Sequence, residues 1–425
     1  MQRVVLGAAD AVCGALGLLR RPLSADDLIR QAQRATALSA FGDVRFSEPL
    51  RHFLDSCIAE SDLSLIGRIA TRWDVVRFLS NLLRMHQAEA ETPAIAAQPI
   101  VAPIFITGLP RSGTTFLQSL LMQDGANMLP RVWQTIYPYP GRAAPKGVPD
   151  RRIEMVNRQL RAFERLAPEF RSLHPVTAVS PQECSEITAH VFMSLRFDST
   201  YHVPSYREWL DRTGHLEAYR FHRRFLQHLQ LQHQNAESRR WVLKCPDHVF
   251  ALDAIRAVYP DARIVFVHRD PLKVLASVAK LTEVLRRPFV RRLDAVQIGR
   301  QEGIRWLAGA ERMIEADSRW PFAVPVCHIQ YLDLVRDPLG TVAGMYRHFG
   351  LKLSPEAADC IRHQVQEKPN GGYGVHQYRF EDHGLDPVEQ RQHFARYVEH
   401  FGITAGVDEL PVATRAAERQ RLATA

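Results

Sequence analysis

The stretch IFITGLPRSGTTFL, residues 104–117, passes from an apolar run to a helical pattern through a bend bracketed by Gly108 and Gly113. Glycines there let the backbone turn tightly and bring amide N–H groups close to an anion. A helix starting near Gly113 points its positive end at the same place. Ser112 lies inside the turn, Thr114 and Thr115 add hydroxyl donors, and Arg111 supplies a cation. The predicted guest is an oxyanion; a glycine turn with no ligand is the plainer alternative. A triphosphate loop, G-x-x-x-x-G-K-[ST], would carry lysine where Thr114 stands, and it needs an acidic strand end for magnesium, which this chain does not show.

Three further side chains are candidates for proton or charge transfer. Lys244 ends the apolar run WVLK (241–244), at the carboxyl edge of a sheet where α/β folds bind ligands; a lysine capping a strand at the surface is the alternative. His248, at the start of the following helical pattern, has an imidazole suited to proton abstraction near neutrality, or it serves as a cap. Glu183, in SPQECSEITAH, is the competitor of His248 for that role, and Glu186 and His190 lie one helical turn away on similar faces, although acidic residues on an exposed helix are often merely solvated. The triplet His268-Arg269-Asp270 spells a protein-kinase signature. Leu275 occupies the place of the asparagine a kinase needs and no D-F-G follows, so the kinase reading is excluded.

The elements that must position these residues are legible in outline. IFIT (104–107), WVLK, RIVFVH (263–268) and AVPVCHI (323–329) are short apolar runs without polar alternation, as expected of strands buried on both faces of a parallel sheet. Each precedes a helical pattern: GTTFLQSLLMQ, DHVFALDAIRAVY, LKVLASVAKL and DLVRDPLGTVAGMYRHFG. The order predicts an α/β fold with a P-loop-like parallel sheet flanked by helices. Residues 1–95 are expected to form a helical N-terminal region, with helix starts at Ser24 and Ser47. The α/β domain is placed at 96–402, with a helical insertion over 125–240 that covers the active site, and 403–425 is a C-terminal tail.

Composition narrows the class. The 425 residues are 46% hydrophobic and 24% charged, which is ordinary globular material, and 54 Lys+Arg against 46 Asp+Glu favour anionic ligands in general. Cys13, Cys57, Cys184, Cys245, Cys327 and Cys360 are far apart with no metal-ligand spacing, so reduced thiols of a cytoplasmic protein are expected. The N-terminal VVLGAADAVCGALGLL contains Asp10 and falls short of a membrane span; it is read as a helix that packs or lies on a surface, which leaves room for peripheral membrane contact.

The strand-x-x-P-R-S-G-T-T-helix pattern resembles the loop that sulfotransferases wrap around the 5′-phosphosulfate of 3′-phosphoadenosine 5′-phosphosulfate (PAPS), in the spelling of the Golgi and bacterial branches. The resemblance spans residues from about 45 to 400 and includes WVLKCPDH (241–248), HRDP (268–271) and HQY (376–378). It implies a 3′-phosphate site made of an arginine at a strand end and a serine eight residues later, here Arg269 and Ser277. An arginine fork and a hydroxyl near a helix start suit a dianion. It further implies that KPNGGYGVHQY (368–378) closes over the cofactor, with Lys368 and His376 as phosphate contacts, and that Phe116 stacks on adenine. Two departures stand out. RVWQ puts Gln134 where many relatives have an acid, which weakens any base there, and Tyr331-Leu-Asp-Leu replaces Y-E-D-L, a change expected to touch packing only.

The expected activity is metal-independent sulfuryl transfer from PAPS to a hydroxyl of a small molecule, lipid or carbohydrate. Lys244 would stabilise the leaving oxygen, and His248 or Glu183 would take the proton. A phosphotransferase with a degenerate loop and a silent nucleotide-binding scaffold are the rivals. No nucleic-acid partner is expected, and acceptor identity and oligomeric state are not legible.

Overall fold

The structure, a computed structural model, describes residues 10, 15–17, 19, 22–139, 150–233, 239–322, 324–368 and 379–404. Five parallel strands form one sheet in the order β2-β3-β1-β4-β5: β1 Ile104–Gly108, β2 Asn127–Met128, β3 Arg240–Lys244, β4 Arg263–His268 and β5 Cys327–Gln330. The helices that matter for the site are α1 Ala25–Thr36, α2 Ser47–Glu60, α3 Leu65–Glu91, α4 Thr114–Leu121, α5 Arg151–Leu166, α6 Cys184–Thr188, α7 Leu216–Leu231, α8 Pro271–Arg286 and α9 Pro338–His348. The expected P-loop-like α/β sheet is present.

Alternation along β1 explains why its apolar run carries no polar face. Ile104 and Ile106 join Val242, Val265 and Val267 in the core beneath α4 and α9, whereas Phe105 points the other way and packs with Leu243, Ile264 and Phe266. That second face continues into α1, α2 and α3 through Leu28, Phe53 and Phe78, so the N-terminal helices and the sheet share one apolar core. Among the described residues no helix is long and apolar enough to cross a membrane.

Local chemistry decides where elements begin and end. Ser24 caps α1 by accepting from the Asp27 amide at 3.2 Å, as its sequence predicts. Ser47, by contrast, is the first residue of α2, and its cap is Phe46 without a side-chain bond. The two-residue β2 escaped the sequence reading because so short a strand has no periodicity. The helical pattern after β3 is in fact a 3-10 turn, Pro246–Phe250, followed by a short helix, Leu252–Val258. The pattern after β5 is broken at Asp337 because Pro338 cannot continue a helix; the Asp337 carboxylate caps α9 at the Gly340 amide.

Candidate active site

The parallel register brings Gly108, Lys244 and His268 to the same carboxyl edge of the sheet, with Lys244 opposite Ile106 of β1. Gly108 has φ +148°, and a Cβ there would lie 2.3 Å from the Val267 carbonyl oxygen, so the loop leaves the sheet pressed against β4. Gly113 has φ +95°, and its Cβ would meet the Tyr331 ring at 2.8 Å. Arg111 itself sits at φ +62°, a strained backbone for a residue with a Cβ and a feature typical of functional loops.

The loop faces a cavity of about 1400 Å³ that gathers Arg111, Thr115, Glu183, Lys244, Arg269 and Ser277 on its walls. Arg111 donates from Nε to Ser277 Oγ at 3.2 Å and from Nη1 to the Leu173 carbonyl at 3.1 Å. Arg269 donates from Nη1 to the Arg111 carbonyl at 2.7 Å, and its guanidinium stacks 3.9 Å over the Tyr331 ring. The two stretches matched separately in the sequence therefore meet at Arg111. Tyr331 and its neighbour Leu332 both reach the cavity, so this stretch does more than pack.

Lys244 is almost completely buried, and its ammonium donates to Thr115 Oγ1 at 3.0 Å and to Glu183 Oε1 at 2.6 Å. Burial would raise the Glu183 pKa, but Lys244, His174 and Arg111 outweigh it and hold the carboxyl below its ordinary 4.5. Glu183 is thus a carboxylate at neutral pH, facing the cavity beside a cation. His174, on the same wall, is driven down to about 4 chiefly by burial, with Glu183 pulling the other way and Lys244 and Arg111 adding to the fall, so it is neutral. Asp247, the penultimate residue of the matched WVLKCPDH stretch, also lines the cavity; burial and the nearby Glu183 push it up to about 7.

Several expectations need correcting. His248 is fully buried outside the cavity wall, hydrogen-bonded through Nδ1 to the Tyr219 hydroxyl and packed on Phe105. Burial holds it well below 6.5, and this placement removes it as proton acceptor. Glu186 and His190, one helical turn from Glu183, are engaged elsewhere. Glu186 pairs with Arg77 and Arg196 at 2.8 Å each, and His190 is buried, with Nδ1 3.0 Å from the Glu186 carbonyl. Ser112 turns its side chain into the interior, where the hydroxyl has no hydrogen-bond partner among the described residues, so any contact with a ligand falls to its backbone. Thr114 is buried but reaches the cavity wall, and Phe116 does so while packing into the core beneath the sheet. Lys368 is exposed at the end of the helix Pro355–Glu367 and lies off the cavity wall, whereas His376 falls outside the described residues. From that region Arg379 and Phe380 line the cavity instead. Gln134 bonds the Arg131 amide and His233, a capping role.

Residues 103–355 match the profile of the Sulfotransferase family. This chain belongs to the sulfotransferase family. Sulfotransferase STF1 from Mycobacterium tuberculosis H37Rv superposes with a TM-score of 0.76 at 32% identity, covering 88% of this chain and 98% of that one. Sulfotransferase STF9 from Mycobacterium avium superposes with a TM-score of 0.81 at 26% identity, covering 90% and 97%. Among curated proteins, the omega-hydroxy-beta-dihydromenaquinone-9 sulfotransferase Stf3 of Mycobacterium bovis is 26% identical over 328 residues, 72% of this chain and 77% of that protein. As a sulfotransferase, the chain is an enzyme of sulfuryl transfer. His174, Asp247, Tyr331, Arg379 and Phe380 line the cavity and were missed by the sequence reading; only Asp247 lay within a matched stretch, WVLKCPDH, while Tyr331 lay in one expected to touch packing only.

Proposed function

We propose that this enzyme transfers the sulfuryl group of PAPS to a hydroxyl of a small molecule, lipid or carbohydrate, with Glu183 as the proton acceptor. The observation that carries the reading is the Lys244 ammonium held between Thr115 of the loop and the Glu183 carboxylate. One cation thereby joins the anion-holding loop to the group that takes a proton.

PAPS supplies a sulfuryl group already activated on a phosphate leaving group. The residues present fit it: the glycine turn and Thr115 face the 5′ side, while Arg269 and Ser277, brought together at Arg111, suit the 3′-phosphate. Glu183 accepts the proton of the acceptor hydroxyl, and its depressed pKa keeps it ready to do so. Lys244 and Arg111 neutralise the charge left on the phosphate oxygen as the bond to sulfur breaks. Arg269 also fixes the Arg111 carbonyl, so it orders the loop as well as the ligand. The Mycobacterium bovis relative named for a dihydromenaquinone supports a lipid among the acceptor classes.

Calorimetric titration with 3′,5′-adenosine bisphosphate (PAP) in the presence of a chelator tests the donor. Tight metal-free binding is expected, strongly weakened in Arg269→Ala and nearly unchanged in Lys244→Ala, which lowers turnover instead. Binding that requires magnesium and prefers ATP would overturn the donor assignment in favour of phosphoryl transfer.

A further inference from the structure

The cavity is larger than the donor alone requires. Single-ligand pockets run to roughly 300–1,000 Å³, against about 1400 Å³ here. Part of its wall is apolar, starting from the cluster of Leu173, Phe170 and Leu281, whose Leu173 carbonyl accepts from Arg111. An arm is lined by Ile66 of α3, Leu166 of α5, Phe170, Leu281 and Leu285 of α8, and Phe289. Ser277, Leu281 and Leu285 are spaced four residues apart on one face of α8, so a single helix leads from Arg111 into the apolar arm. At 1.5 Å per residue, that stripe is about 12 Å long, on the order of ten methylene lengths.

The cavity also reaches solvent beside Ile66. Ile69 and Trp73, one turn apart on α3, line the same cavity and are 60% and 46% exposed. An apolar corridor with exposed aliphatic and aromatic side chains at its mouth gains from covering by hydrocarbon. A sugar chain would bury hydroxyls against Leu281, Leu285 and Phe289, side chains that return no hydrogen bond.

We propose that the acceptor is an amphiphile whose hydroxyl meets Glu183 and whose hydrocarbon chain, of about ten carbons or more, lies along Leu281 and Leu285 and leaves past Ile69 and Trp73. The proposal rests on Glu183 and Lys244 being the transfer centre. It selects the long-chain lipid class from the three that the centre alone admits.

The test is calorimetric titration of the full-length, PAP-saturated protein with primary alcohols from butanol to dodecanol, below their aggregation limits. Kd is expected to fall about three- to fourfold per methylene until the arm is filled. Leu166→Gln and Leu285→Gln, both at half-buried positions, should flatten that dependence while leaving the PAP affinity within about twofold. A Kd indifferent to chain length, no binding of the long alcohols, or glucose binding as tightly as dodecanol would each overturn the proposal. Should PAP itself fail to bind, the donor assignment falls, and the alcohol series run on the unliganded protein still reads the arm.

Discussion

At the scale of single residues, Glu183 and Lys244 are one unit. Burial raises the carboxyl's pKa and the neighbouring cations lower it, with the cations prevailing. Because the folded pKa is depressed, Glu183 stays ionised as pH falls through 4.5, and both its base function and the stability of its pairing are lost only below that value. The acid limb of kcat/KM is therefore expected below pH 4.5, and in Lys244→Met it should move upward, since burial is then less opposed. A limb near 6.5 in the unaltered enzyme would point to an imidazole. Glu183→Gln should lower kcat by about 10²–10⁴ with PAP affinity held; a near-normal kcat would remove Glu183 as the base. Arg111 and Lys244 were legible in the sequence because each belongs to a short local pattern with its own chemistry, and Arg269 and Ser277 through the resemblance to the sulfotransferase pattern. The choice between Glu183 and His248 was not, because it turns on which of the two faces the cavity.

At the scale of elements, the loop between β1 and α4 and the start of the helix Tyr331–Arg336 interlock. Gly113 fits beneath the Tyr331 ring, and that ring carries the Arg269 guanidinium. Gly113→Ala places a methyl group 2.8 Å from the ring at φ +95°, a strain of about 1–3 kcal/mol. PAP affinity is expected to drop by about tenfold or more, measured by titration against the unaltered protein, with the circular dichroism of the fold retained. Affinity unchanged within twofold would mean that the loop and the Arg269 site are mechanically independent. The sequence pattern placed β1, β3 and β4 to within a residue and the helix after the loop, because each is a run of one periodicity, but it began the fourth strand four residues ahead of β5. It missed β2, whose two residues make no pattern, and the broken helices at Pro246 and Pro338, where proline and capping carboxylates redirect the chain.

At the scale of the whole molecule, the N-terminal helices share their core with the sheet, and the cavity is walled by α3, α5 and α8 together. The described chain is expected to unfold in one calorimetric transition, raised by about 3 °C when PAP is present at 100 times its Kd. Two transitions, with only one of them shifted by PAP, would show that the N-terminal helices fold separately. Contacts between distant segments set the rest of the site. Lys244 and Glu183 are 61 residues apart in the chain, and Arg77 and Glu186 are 109 apart. By itself the sequence determined the parallel α/β sheet and the glycine-bracketed loop after β1, since strand burial, glycine turns and cation placement act over a few neighbouring residues. Only the tertiary structure decided that Glu183 rather than His248 faces the cavity, that His174 and Tyr331 join it, and that an apolar arm leads away from it. Those features exist only where side chains from separate segments meet, and nothing in any one segment specifies its partner.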